Sequence, residues 1–224
     1  MQRENANFPN AFVLLGFSEF MWMERPLSAV VLVSYILTLV GNSSMIFLFL
    51  VEPTLQMPRY FFLNNLSLLD LCIICTIVTQ LLANLWGSDK TIAAWGCITQ
   101  LYVYTLAGCT EWILPAMITI DHYVAICQHL QYNLIMHPWI CVQMAAASLS
   151  SGLANSLVQA TLTIQLPLCG YHTLDDFCEV SLLTKLACGN TTPNDIALVV
   201  GAIPLGMMSL LMVIISYIFI AGAI

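Results

Sequence analysis

Five apolar runs, near residues 27–50, 60–83, 97–120, 140–164 and 196–224, constrain this chain more than any other feature. Each is close to the roughly 20 helical residues that cross a hydrocarbon core. Lipid offers no water to backbone amides, so a run that crosses it must close its own hydrogen bonds as a helix. The composition agrees: 60% of residues are hydrophobic, 8% are charged, and the mean hydropathy is +0.89. A chain of that kind cannot cover a soluble globule with polar surface. The fold expected is an all-α membrane protein with five transmembrane helices. A tail over 1–26 precedes them, and a long polar loop over 165–195 separates the fourth from the fifth. The first run is longer than a signal-peptide core and lacks a small-residue cleavage site, so it is expected to be retained.

Charge and motifs exclude several functions. The net charge is -7, and the five Lys and Arg residues are scattered; nucleic-acid binding needs clustered cations. No G-x-S-x-G, H-E-x-x-H or phosphate-cradling glycine loop occurs, and His122, His129, His137 and His172 have no ligand spacing. No enzyme, metal site or cofactor is therefore expected. An ion path through the buried acids is the competing class. Transporters, however, pair interrupted helices in two halves, a pattern not seen here.

The residues with chemistry sit in the spans. Asp70 falls about ten residues into the second run, and Glu111 lies at a comparable depth in the third, within Thr110–Cys127, TEWILPAMITIDHYVAIC. A carboxylate in lipid is expensive and marks a functional site by default. Two at one depth read as a cation site, as a shared proton, or as acids satisfied separately by Ser, Thr or Asn neighbours. Gly41-Asn42 suits close helix packing and an interhelical hydrogen bond. Asp121-His122-Tyr123 lies where the third run gives out and water begins. Pro115, inside that run, removes an amide and invites a kink. The segment Phe12 to Ser18 reads as an interfacial apolar patch or as a loosely ordered tail.

Cys97 opens the third run, and Cys169, Cys178 and Cys188 lie in the long loop. In an oxidising compartment four such cysteines read as two disulfides, with three pairings open. They lack the C-x-x-C spacing of a metal site. Cys72, Cys75, Cys109, Cys127 and Cys141 read as buried thiols.

Together these residues resemble a known family. LLGF at Leu14 to Phe17, Gly41-Asn42, PRYFFLNNLSLLDLC from Pro58 to Cys72, Gly96-Cys97 and Thr110-Glu111 are similar to an odorant receptor of the tetrapod branch. So are DHYVAIC from Asp121 to Cys127, LPLCG from Leu166 to Gly170, Phe177-Cys178-Glu179 and Ser216-Tyr217. Such proteins are rhodopsin-like G-protein-coupled receptors, and the resemblance covers nearly the whole chain.

The resemblance implies an N-terminus outside, at the plasma membrane, and disulfides Cys97–Cys178 and Cys169–Cys188. It implies a polar or cation site at Asn42, Asp70 and Glu111. A G-protein switch is implied at Asp121, His122, Tyr123 and Tyr217. A small volatile odorant would sit at Tyr104, Thr105, Gly108 and Cys109, with Gly201 and Leu205. The four on the third helix follow i, i+1, i+4 and i+5, one helical face or plain packing. The implied partners are the odorant, membrane lipid and an olfactory Gs-type heterotrimeric G protein.

Departures from the family weaken parts of this reading. The family carries arginine where this chain has His122, which is shorter and mostly neutral, so a latch to Asp121 should weaken. With the N-terminus outside, Arg3, Arg25, Lys90 and Lys185 lie outside and Arg59 inside, against the positive-inside rule. Asn5, Asn7 and Asn10 start no glycosylation sequon; Asn190-Thr191-Thr192 does. The chain ends at Ile224, soon after Tyr217, so an incomplete seven-helix bundle is expected, without the sixth helix whose movement opens a G-protein cleft. Signalling is then not expected of the 224-residue chain. The alternative reading is a non-signalling, pseudogene-like membrane polypeptide, held in the endoplasmic reticulum or pairing with intact receptors.

Overall fold

The structure is a computed structural model that describes residues 11–14, 21–55, 57–87, 90–168, 173–174 and 177–223. It contains five long helical segments: α1 (Met21–Val51), α2 (Pro58–Trp86), α3 (Ala94–Cys127), α5 (Pro138–Ile164), and α7 (Thr192–Ala197) running through a π-helical turn, Leu198–Ala202, into α8 (Ile203–Ala223). Between α3 and α5 lies α4 (Tyr132–Ile135), and α6 (Val180–Lys185) lies between α5 and α7. The helices extend several residues beyond the apolar runs. Pro58 and Pro138 start α2 and α5, where a missing amide costs nothing. His137 caps α5 by accepting the Trp139 amide at Nδ1, 3.3 Å away.

The bundle is organised on α3, which contacts α2, α5 and α8. Its buried residues Cys97, Gln100, Leu101, Ala107, Thr110, Leu114, Asp121 and Val124 recur at helical spacing along its length. In α1, by contrast, Val30, Val33, Leu37, Val40 and Phe47 are exposed, as they are on a lipid-facing helix. Four segments are long and apolar enough to cross a membrane: Arg25–Val51, Pro58–Trp86, Ala94–Cys127 and Thr192–Gly222.

The expected fourth span, α5, is long enough but more polar than that measure allows. The reason is a stripe at Ser148, Gly152, Ser156, Gln159 and Thr163, buried at i, i+4, i+8, i+11 and i+15, while Leu149, Leu153 and Leu157 stay exposed. Small and polar residues at helix contacts are the usual glue of membrane bundles. Gly152 is the tightest point: a Cβ there would meet Thr110 Oγ1, and the Leu106 carbonyl at 3.1 Å.

Two further expectations are corrected. Pro115 does not interrupt α3, which runs as one helix of 34 residues, and the proline is exposed. Residues 11–14 are not a loose tail but strand β1 (Ala11–Leu14), the centre of a three-stranded sheet with β2 (Thr91–Ala93) and β3 (Thr173–Leu174). Phe12 pairs with Ile92 on the antiparallel side, and Leu14 with Leu174 on the parallel side. Alternation sends Phe12 and Leu14 inward, fully buried with Cys97, Leu101, Cys178 and Leu183, while Val13 faces out.

Candidate ligand cavity and polar sites of the bundle

The end of the bundle that carries this sheet is tied by a disulfide between Cys97, in the first turn of α3, and Cys178. Gln100 braces the same point, donating from Nε2 to the Thr76 carbonyl at 3.0 Å and accepting the Cys178 amide at 3.3 Å. Cys188 is also disulfide-bonded; Cys169, its expected partner, lies outside the described residues. Farther along the loop, Asn194 donates to Thr163 Oγ1 at 3.0 Å, holding α7 against the end of α5.

Under this loop is a cavity of about 240 Å³. Tyr104, Thr105, Gly108, Cys109 and Leu205 line it, so the α3 face drawn from the sequence and one residue of α8 meet in one place. The loop adds Glu179, Val180 and Ser181, and the π-helical turn presents Leu198 and Ala202. Gly108 leaves open space: a Cβ added there meets nothing within 4 Å. The Thr105 proton is already used on the Leu101 carbonyl at 2.6 Å, so toward a ligand its hydroxyl acts as an acceptor. The Tyr104 ring stands edge to face with Phe177, centroids 5.4 Å apart.

Gly201 is placed differently. It is not among the residues lining this cavity, and a Cβ on it would strike Asn155 Oδ1. Its lack of a side chain lets the π-helical turn approach α5. Asn155 in turn donates to Cys109 Sγ at 2.7 Å and accepts from Gln159 Nε2 at 3.4 Å. Trp112, Asn155, Gln159 and Glu179 were missed from the sequence. The polar spacing along α5 carried the signal for Asn155 and Gln159; Glu179 stands in the Phe177-Cys178-Glu179 motif without a ligand role read from it, and nothing gave Trp112 one.

Midway along the bundle Glu111 of α3 lies near enough to Asp70 of α2 for the two carboxyl groups to interact, and Glu111 Oε1 is buried without a hydrogen-bond partner among the described residues. Asn42 is half-buried, and its side chain makes no hydrogen bond among the described residues that would bring it into this pair.

At the far end Asp121 is fully buried, and its Oδ1 accepts from the Tyr132 hydroxyl at 2.7 Å. Burial, then this hydrogen bond and the acid's charge, push the Tyr132 phenol well above its usual value, with the charge of Arg59 acting the other way. Tyr132 stands in the short stretch between α3 and α5, where nothing in the sequence singles it out. The Tyr123 ring meets Phe219 of α8, centroids 5.9 Å apart. Tyr217 points away, 56% exposed.

A bundle built on a central third helix, a disulfide from its first turn to the loop over a cavity, and a buried acid at its far end define a class of membrane receptor. The sequence pattern of the seven-transmembrane receptors of the rhodopsin family matches residues 41–224. Olfactory receptor 2W1 of Homo sapiens and olfactory receptor 2C1 of Mus musculus are each 44% identical over 225 residues, covering 100% of this chain and 70% and 72% of theirs. Olfactory receptor 2G3 of Homo sapiens is 47% identical over 214 residues, 95% of this chain and 69% of its own. This chain belongs to the olfactory receptors of the rhodopsin family and is a multi-pass membrane protein.

Proposed function

We propose that this olfactory receptor holds a small, mostly apolar odorant in the cavity beneath the disulfide-tied loop. The observation that carries the reading is the convergence of Tyr104, Thr105, Gly108, Cys109 and Leu205 on one space of about 240 Å³. Its walls are mainly apolar, with a few polar groups to orient a ligand, the usual make-up of a small-molecule site. Thr105 accepts a hydrogen bond, and Gly108 provides the room. The end with the disulfides faces outside, since disulfides persist in oxidising compartments. Asn190, exposed there with Oδ1 accepting the Thr192 amide at 3.0 Å, carries the glycan. The Asp70–Glu111 pair is the proton or cation site of the core.

The Asp121 end faces the cytoplasm, where Asp121, His122, Tyr123 and Tyr217 meet an olfactory Gs-type protein at the plasma membrane. Histidine in place of the family's arginine weakens that coupling. The test is direct binding: the chain in lipid nanodiscs, titrated with small apolar odorants, with Trp112 fluorescence as the readout. Binding is expected, and Gly108→Leu should abolish it by filling the cavity. Unchanged binding in that variant would refute the assignment. In a version of the chain extended to seven helices, odorant-evoked cyclic AMP, expected to rise with His122→Arg, tests the coupling separately.

A further inference from the structure

The acid at the far end of α3 is only half satisfied. Asp121 Oδ1 has the Tyr132 hydroxyl, but Oδ2 is buried without a hydrogen-bond partner among the described residues. A buried carboxylate in that position calls for a positive group. His122 is half-buried and forms no hydrogen bond or ion pair among the described residues. The segments that build this end, 51–60 and 121–138, contain one lysine or arginine between them, Arg59.

Arg59 is in the first turn of α2; its guanidinium lies 5.8 Å over the Tyr60 ring, and its Nε is buried without a hydrogen-bond partner among the described residues. Its charge reaches Tyr132. The residues that follow it on α2, Phe61 and Phe62, pack in one apolar cluster with Tyr123, Val124, Tyr132 and Met136. The start of α2 and α4 therefore share one apolar cluster at this end of the bundle. Glu52, the other acid of this end, is exposed and accepts from Thr54, so it does not compete.

We propose that Arg59 is the cation of an inner lock, in which the Tyr132 hydroxyl donates a hydrogen bond to Asp121 and Arg59 neutralises the acid from α2. A phenol suits the middle position because it donates and accepts at once. The guanidinium keeps its charge under all physiological conditions and fans its donors over several acceptors. With histidine where the family has arginine, the positive partner comes from a different helix. The result ties α2, α3 and α4 together, and any motion that opens this end must break the tie.

The test is a double-mutant cycle on the full chain in nanodiscs, read by hydrogen exchange of the amides in 129–136. Arg59→Gln should speed that exchange about tenfold, the scale of one charge-assisted hydrogen bond, and Arg59→Lys should recover most of it by keeping the charge. In a His122→Arg background, Arg59→Gln should have no effect, because the acid regains a cation from its own helix. In a Tyr132→Phe background it should add nothing, because the bridge is already gone. An equal acceleration in all three backgrounds would mean that Arg59 serves packing alone, and no acceleration in the unmodified chain would equally overturn the lock. If Arg59→Gln does not fold, the comparison of Tyr132→Phe with and without Arg59→Lys decides: a lock requires no difference, and a further loss refutes it.

Discussion

Adding one methyl group should have different effects at Gly152, which sits in the contact between α3 and α5, and at Gly108, which faces the cavity. At Gly152 a Cβ would strike Thr110 Oγ1 and press on the Leu106 carbonyl at 3.1 Å. That carbonyl is fixed in α3, and Thr110 is held by its own hydrogen bond to it at 2.8 Å, so the helices must separate. Overpacking of this kind costs about 1–3 kcal/mol. At Gly108 the same atom enters open space. Both changes gain the same helix propensity, about 1 kcal/mol, and that gain cancels in the difference between the variants. For a chain of this length, about 1–3 kcal/mol corresponds to roughly 2–12 °C in melting temperature. Gly152→Ala should therefore melt that much below Gly108→Ala when both are unfolded thermally in one detergent. Adding Thr110→Ala to Gly152→Ala should recover part of the loss, because the nearest obstructing atom is then removed. If Gly152→Ala melts at or above Gly108→Ala, the description of the α3–α5 contact is wrong.

Three other outcomes follow from the structure. Phe12→Ser should release β1 and accelerate amide exchange in 91–93, whereas Val13→Ser, on the exposed side of the strand, should leave that exchange unchanged. Tyr132 holds its proton more tightly folded than unfolded; its contribution to stability is complete below its unfolded value near 10 and is lost as pH climbs toward the higher folded value. Tyr132→Phe should accordingly flatten the decline of melting temperature in alkaline buffer, and an undiminished decline would count against the Asp121 contact. Asn190→Gln should remove a glycosidase-sensitive mass shift in the chain expressed in mammalian cells.

The spans were legible in the sequence because hydrocarbon thickness fixes the length of an apolar run, and helix α3 was legible because chemistry-bearing residues fall on it at helical spacing. Tyr104, Thr105, Gly108 and Cys109 could be grouped for the same reason: neighbours on one helix share a face whatever surrounds them. What lay across a gap in sequence was harder to see. Gly201 has the small size of a pocket residue, yet that space is occupied by Asn155, and only the packing of α5 against the π-helical turn decides between the two. Tyr132 lies in a short connecting stretch with no periodicity to mark it, and its meaning depends on the burial of Asp121. The strand at residues 11–14 was read as a tail because four residues cannot show a convincing alternation, and its partners lie about 80 and 160 residues away.

That strand has a consequence for how the protein is made. β1 occupies the middle of the sheet, but it leaves the ribosome first, while both neighbours emerge much later. Until Thr91–Ala93 and then Thr173–Leu174 have been made, Phe12 and Leu14 lack the neighbours that bury them. Completing the sheet is therefore the capture of an early part of the chain by later loops, a long-range closure of the kind that is slow and open to misassembly. During that interval two apolar side chains stay uncovered until α2, α3 and α5 have been made.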